Sequence, residues 1–208
     1  MNNSMWQEIS YPIRANLANY PDDTPFNSRS QYFSDSQIML SEFTSGLHYA
    51  THSDAPCHFI KNGKSIEKMP LEHYIGKCQV INVNFTDHEP RRITPQVLPT
   101  IVAPRVLFAS NTFDYYQPYH DNYAVLSLEL VEFLIERGCC LVGVDTPSVD
   151  VANSVSFINH RKLLAAEMTI IEGLNLRNID SGIYEMLAIP LALEGLEASP
   201  LRVFIKKI

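Results

Sequence analysis

Long apolar runs, a surplus of positive charge, paired cysteines and a serine-nucleophile motif are all missing from this sequence. Each absence removes a class of function. No stretch approaches the roughly 20 apolar residues that cross a bilayer. The start of the chain, Met1 to Glu8, lacks the basic and apolar parts of a signal peptide, so a cytoplasmic location is expected. Lysine and arginine number 16 against 23 aspartates and glutamates, a net charge of −7. A nucleic-acid partner would want the opposite sign. The four cysteines, Cys57, Cys78, Cys139 and Cys140, show no CxxC spacing, which argues against a zinc ribbon. In a reducing cytosol they are expected as free thiols. No G-x-S-x-G elbow is present to support a serine hydrolase. No repeat, linker or low-complexity tract divides the chain, and 208 residues suffice for one domain with one large core.

What the chain does have is a dense stretch from Gly46 to Phe59. Four ligand-type side chains, His48, His52, Asp54 and His58, fall within eleven residues there, and they include three of the seven histidines. Packing does not ask for such a cluster, because each polar group must be desolvated or paired. A divalent metal is the simplest agent to offset that burden, since imidazole and carboxylate are its usual ligands. A straight strand would hold His48 and His52 about 13 Å apart, too far to share an ion. The chain must therefore bend between them, whereas His52 and Asp54 can meet from extended backbone. Pro56 opposes a helix through the segment. Cys57 reads as a small buried residue.

Around this cluster the pattern alternates strand and helix. Strands are expected over Trp6–Ile13, Ser36–Phe43, Cys78–Val83, Arg105–Ala109, Leu141–Asp145 and Thr169–Glu172, with Arg105–Ala109 apolar enough for burial on both faces. Asn19–Phe26, with two prolines and three acidic or amide side chains, reads as loop. Asp87–Pro104 reads as mainly loop, and so does the tyrosine-rich Asn111–Asn122. His120 in the latter has no chemical reading. Leu71–Tyr74 suggests one helical turn, which accounts for His73. The clearest helix is Leu128–Arg137, with Ser127 to cap its start and Gly138 just past its end. Asn159 is a candidate cap for a short helix at His160–Leu164. Glu185–Leu193 and Leu201–Ile205 read as neighbouring strands joined through the turn Glu194–Pro200. Such layering is α/β.

The motif His48-x-Ala-Thr-His52-x-Asp54-x-Pro56-x-His58-Phe59 resembles the H-x-G-T-H-x-D-x-P-x-H-F signature of the cyclase family, which includes bacterial kynurenine formamidases and isatin hydrolases. Ala50 stands where the family has glycine; if that glycine has a positive φ, alanine there implies a small backbone adjustment or some strain. The run from Gly143 to Asp150 reproduces the family's G-[IV]-D-T-P-S-V-D, in which Asp145 and Asp150 read as turn or supporting groups. Tyr20 falls at the tryptophan of W-P-G-D-T-P-F. His160-Arg-Lys-Leu-Leu164 and Glu172-Gly-Leu174 match the remaining family elements.

The resemblance implies a single domain over residues 1–208, with a mixed sheet and a swivelling β/β/α fold. It implies metal ligation by His48, His52, Asp54, His160 and Glu172, with Asp54 and Glu172 bridging two ions. Zinc suits the imidazole-rich set and manganese is possible. It assigns proton transfer to His58 and a pocket wall to Tyr20, with Phe26 a further candidate for that wall. The implied activity is hydrolysis of N-formyl-L-kynurenine to L-kynurenine and formate in a homodimer, without nucleic acid or membrane. Isatin-type cyclic-amide hydrolysis and metal binding without turnover are the alternatives.

Overall fold

In the computed structural model, which describes residues 5–85 and 91–208, nine strands form one curled mixed sheet. Its elements in chain order are β1 (Gln7–Glu8), β4 (His52–Asp54), β5 (Ile75–Asn82), β7 (Arg105–Ala109), β9 (Leu141–Val144), β10 (Thr169–Glu172), β11 (Gly182–Leu187), β12 (Ala198–Pro200) and β13 (Phe204–Lys207). Two pairs stand apart from it: a hairpin of β2 (Asn27–Phe33) with β3 (Ile38–Thr44), and a short parallel pair of β6 (Arg92–Ile93) with β8 (Val125–Leu126). The large sheet runs β1-β13-β11-β5-β7-β9-β10-β4-β12. Its centre, β5 to β10, is parallel, and the flanking strands pair antiparallel.

The central strands are apolar on both faces because both faces are covered. Val106 and Phe108 of β7, Val142 and Val144 of β9, and Ile170 of β10 pack under the two main helices. These helices are α2 (Leu128–Glu136) and α3 (Ile158–Ala165), the short α1 being Leu71–Tyr74. The alternate residues, Leu107, Leu141 and Ile171, face the other side of the curl with Tyr74, Met186 and Ile205. Ser127 caps α2 as expected, its hydroxyl accepting from Leu130 N at 3.1 Å.

Several expectations need correction. The strand expected over Ser36–Phe43 is β3, but it belongs to an exposed hairpin whose other arm, β2, carries no apolar stripe that would announce it. The run Trp6–Ile13 contributes only β1 and an isolated bridge from Ser10 to Leu174. Asn159 does not cap α3. It lies inside the helix, and its side-chain amide donates to Leu126 O and Val149 O, each at 2.9 Å. Within Glu194–Pro200, which reads as a turn, β12 forms and pairs with β4 at the far edge of the sheet. Strands β11 and β13 do pair, although β11 begins at Gly182 and ends at Leu187. Of the run Asp87–Pro104, residues 87–90 lie outside the described residues; the rest holds β6 and a 3₁₀ turn at Pro95–Val97.

Candidate metal centre

The bend required between His48 and His52 is made at Ala50, whose φ is +60°. This is the left-handed region that favours glycine, so the strain implied by alanine at this position is present. The turn sets the Ala50 carbonyl 3.0 Å from His52 Nδ1. With Nδ1–H donating there, Nε2 is left to face inward. Thr51 clamps the next residue: its hydroxyl donates to Gly173 O at 2.5 Å and accepts from Tyr11 N at 2.9 Å. Antiparallel pairing of β4 with β10 then puts His52 directly across from Glu172.

Helix α3 brings the fourth imidazole. Phe157 before it is left-handed (φ +44°) and gives no side-chain cap. Asp150 caps from outside, accepting from Asn159 N at 3.1 Å and His160 N at 3.0 Å. The same carboxylate accepts from His160 Nδ1 at 2.8 Å, which turns His160 Nε2 toward the cluster. Asp150 is therefore both a turn group and the partner that orients His160. Asp145 is structural: it accepts from Ser110 and Asn111 backbone N–H and from the Ser110 hydroxyl.

At the centre two buried carboxylates divide their oxygens between two sets of imidazoles. Asp54 Oδ1 lies 3.1 Å from His48 Nδ1 and 3.4 Å from His52 Nε2, while Oδ2 lies 3.5 Å from His160 Nε2. Glu172 Oε2 lies 3.4 Å from His52 Nε2, and Oε1 lies 3.1 Å from His160 Nε2 and accepts from Val149 N at 2.8 Å. All five sequence-expected ligand residues are thus brought together. His58 joins them, with its ring against His48 at 4.4 Å between centroids and a ring nitrogen within 4.8 Å of ligand atoms of His48 and Asp54. Cys57 stands outside and is half-buried rather than buried as expected, its thiol donating to Leu196 O. All four cysteines are free thiols.

Charge explains why the arrangement suits a cation. Burial alone would push His48 and His52 down, but the facing carboxylates, Asp54 with Glu197 and Asp54 with Glu172, outweigh it and hold them up to about 10 and about 9. Burial alone would raise Asp54, yet His160, His48 and His52 hold it well below the usual carboxylate range. Two buried carboxylates call for positive charge. Protons on the imidazoles are one source; a divalent cation held by neutral imidazoles is the other. Among the described residues His52 Nε2 and both oxygens of Asp54 have no hydrogen-bond partner, as ligand atoms of such a cation should not. His58 differs from its neighbours: burial pushes it below 6.5, so it is neutral at pH 7.

His48, His58, His160 and Glu172 of the cluster line a cavity of about 250 Å³, whereas His52 and Asp54 are not among its lining residues. Tyr20 lines it, edge-on to Tyr119 at 5.6 Å, with its hydroxyl donating to Ala152 O. Phe26 does not line it; that ring stacks on Phe43 and Tyr49 instead. The aromatic wall comes from Phe59, Phe113, Tyr115, Tyr119 and Phe157. Apart from Phe59, inside the histidine motif, these sit in irregular segments with no periodic signal. Glu197 carries no local signal: its Oε1 lies 3.6 Å from His48 Nε2, brought there just ahead of β12 by the Ala55 N–H bond to Glu197 O and the β12–β4 pairing. His73 meets Thr169 and His120 packs on Phe113; neither lines the cavity.

Fold and site together define an α/β domain with a buried imidazole–carboxylate centre under an aromatic cavity. The sequence model described as "Putative cyclase" matches residues 7–151, and the chain belongs to that family. A kynurenine formamidase of Bordetella pertussis is 32% identical over 213 residues, covering 98% of each chain. A predicted metal-dependent hydrolase from Bacillus stearothermophilus superimposes with a TM-score of 0.81 at 26% identity over 97% of each chain. Isatin hydrolase A from Ralstonia solanacearum shares the fold, with a TM-score of 0.77 at 23% identity over 97% of this chain and 91% of its own. No helix among the described residues is long and apolar enough to cross a membrane.

Proposed function

We propose that the chain is a metal-dependent kynurenine formamidase, hydrolysing N-formyl-L-kynurenine to L-kynurenine and formate. The observation that carries this is the pair of buried carboxylates shared between two imidazole sets, with Glu172, His48 and His160 of that group opening on an aromatic cavity. It is supported by the names of full-length relatives about 30% identical. His48, His52, Asp54, His160 and Glu172 would hold divalent metal, two zinc ions or manganese. Such ions supply Lewis acidity at a carbonyl oxygen and make a water more acidic.

The chain's own chemistry then falls to His58. As a neutral imidazole it takes a proton from the water attacking the formyl carbon. It returns that proton to the aryl nitrogen as the carbon–nitrogen bond breaks. Tyr20 and the other ring side chains of the wall hold the aryl group. Release of formate by the purified protein, with and without added zinc or manganese, tests the proposal. No turnover with any metal would leave a metal-binding protein without catalysis. The likeness in fold to isatin hydrolases makes isatin the competing substrate. A tenfold or greater preference for isatin over N-formyl-L-kynurenine on the same preparation would replace the formamidase reading.

A further inference from the structure

One carboxylate on the cavity wall belongs neither to the metal cluster nor to proton transfer. Asp23 lines the cavity beside Tyr20, Tyr115 and Tyr119. Its loop pins it: Asp23 N donates to Tyr20 O at 3.1 Å, Asn19 Nδ2 donates to Asp23 O at 2.7 Å, and Thr24 N donates to Asp23 Oδ1 at 2.7 Å. Gly46 packs against the same carboxylate, so closely that a side chain there would run into it. The second oxygen, Oδ2, is buried and has no hydrogen-bond partner among the described residues.

A fixed, buried acceptor left unpaired is unfavourable, and more so when it is charged. The described residues of the lining include no lysine or arginine to answer it. The basic side chains that do line it are imidazoles: His48 and His160 of the metal cluster, and His58. The aromatic rings around the cavity favour a cation as well. A ligand could therefore satisfy Asp23 Oδ2 with a charged N–H group.

We propose that Asp23 Oδ2 accepts a hydrogen bond from a primary ammonium on the substrate, so that the cavity selects aryl amides whose side chain bears an amine. The catalytic part of this rests on the amide-hydrolase reading, whereas the binding part does not.

Two measurements test it. The first is kcat/KM for N-formyl-L-kynurenine relative to formanilide, which has the same bond from formyl carbon to aryl-amine nitrogen and no ammonium. Asp23→Asn keeps an acceptor for Thr24 N and should lower that ratio by about tenfold or more, chiefly through KM. An unchanged ratio would overturn the proposal. The second is calorimetric binding of L-kynurenine against 3-(2-aminobenzoyl)propanoate, the same molecule without the ammonium. The wild-type protein should prefer L-kynurenine by about tenfold, and Asp23→Asn should lose the preference. Equal wild-type affinities would overturn the proposal whether or not the variant folds. If neither amide is turned over, the formamidase reading fails and the calorimetry alone decides the role of Asp23.

Discussion

Replacing Asp150 by alanine should damage stability and metal affinity together, because one carboxylate serves both. It accepts two backbone N–H groups at the start of α3 and the Nδ1–H of His160. Loss of a helix cap costs about 1–2 kcal/mol. Leaving the buried His160 Nδ1 without an acceptor adds about 1–3 kcal/mol. The sum, about 2–5 kcal/mol, is a large share of the roughly 5–15 kcal/mol that holds a domain together. At roughly 2–4 °C per kcal/mol for a chain of this size, Tm should fall by about 4–20 °C. His160 would also be free to rotate, and loss of a partner that orients a ligand lowers metal affinity about 10- to 100-fold. Asp150→Asn separates the effects: its amide oxygen can still cap α3, so stability should recover in part while metal affinity stays low. Thermal denaturation of the metal-free proteins and calorimetric titration with zinc or manganese measure both. An alanine variant with Tm within about 2 °C of wild type and affinity within about twofold would refute this account of Asp150.

Four further outcomes are expected. His52→Ala should lose bound metal, while His58→Ala should keep it and lose turnover by about 10²- to 10⁴-fold; metal loss in the second variant would make His58 a ligand instead. The acid limb of kcat/KM should lie below pH 6.5, since burial depresses His58 and its power to accept a proton vanishes as pH falls through that lowered value; a limb above 6.5 would contradict this. Tyr20→Ala should raise KM more than it lowers kcat, and Tyr20→Trp should preserve KM, the pattern of a group that binds without entering the chemistry. The protein should sediment as a homodimer at micromolar concentration, with the β2–β3 hairpin, where Tyr32, Met39 and Phe43 stand exposed, as the surface to be covered; a fully active monomer would rule this out.

How much could be read from the chain depended on whether a residue's role was local. Strands β7 and β10 were legible to the residue because short apolar runs buried on both faces have little other use. Helix α2 was legible from Ser127 and Gly138 at its ends. That the candidate ligands gather in space was legible because His48, His52, Asp54 and His58 crowd one segment, and because His160 and Glu172 match motif elements. Strand β2 was not, since all seven of its residues are exposed and give no alternation to a buried face. Strand β12 was not, because three residues ending in proline carry little strand signal and their partner lies far back in the chain. Asp150 reads locally as a turn residue; its bond to His160 depends on how α3 is set against the loop, which no local pattern states. Phe26, an aromatic candidate for the cavity wall, packs on Phe43 and Tyr49 instead, contacts that its place in the sequence does not state.

The insertion of β4 between β10 and β12 has a consequence for how the protein is made. The Thr51 hydroxyl meets Gly173 O across 122 residues of chain, and contacts of such separation form late because long loops must close first. Until then His48, His52, Asp54 and His58 are a short exposed cluster without His160 or Glu172. Metal present during refolding can be caught by that fragment alone, and binding to unfolded chain erodes the stabilisation metal gives the native state. Refolding in chelator, with metal supplied afterwards, should recover more active protein than refolding with metal present from the start.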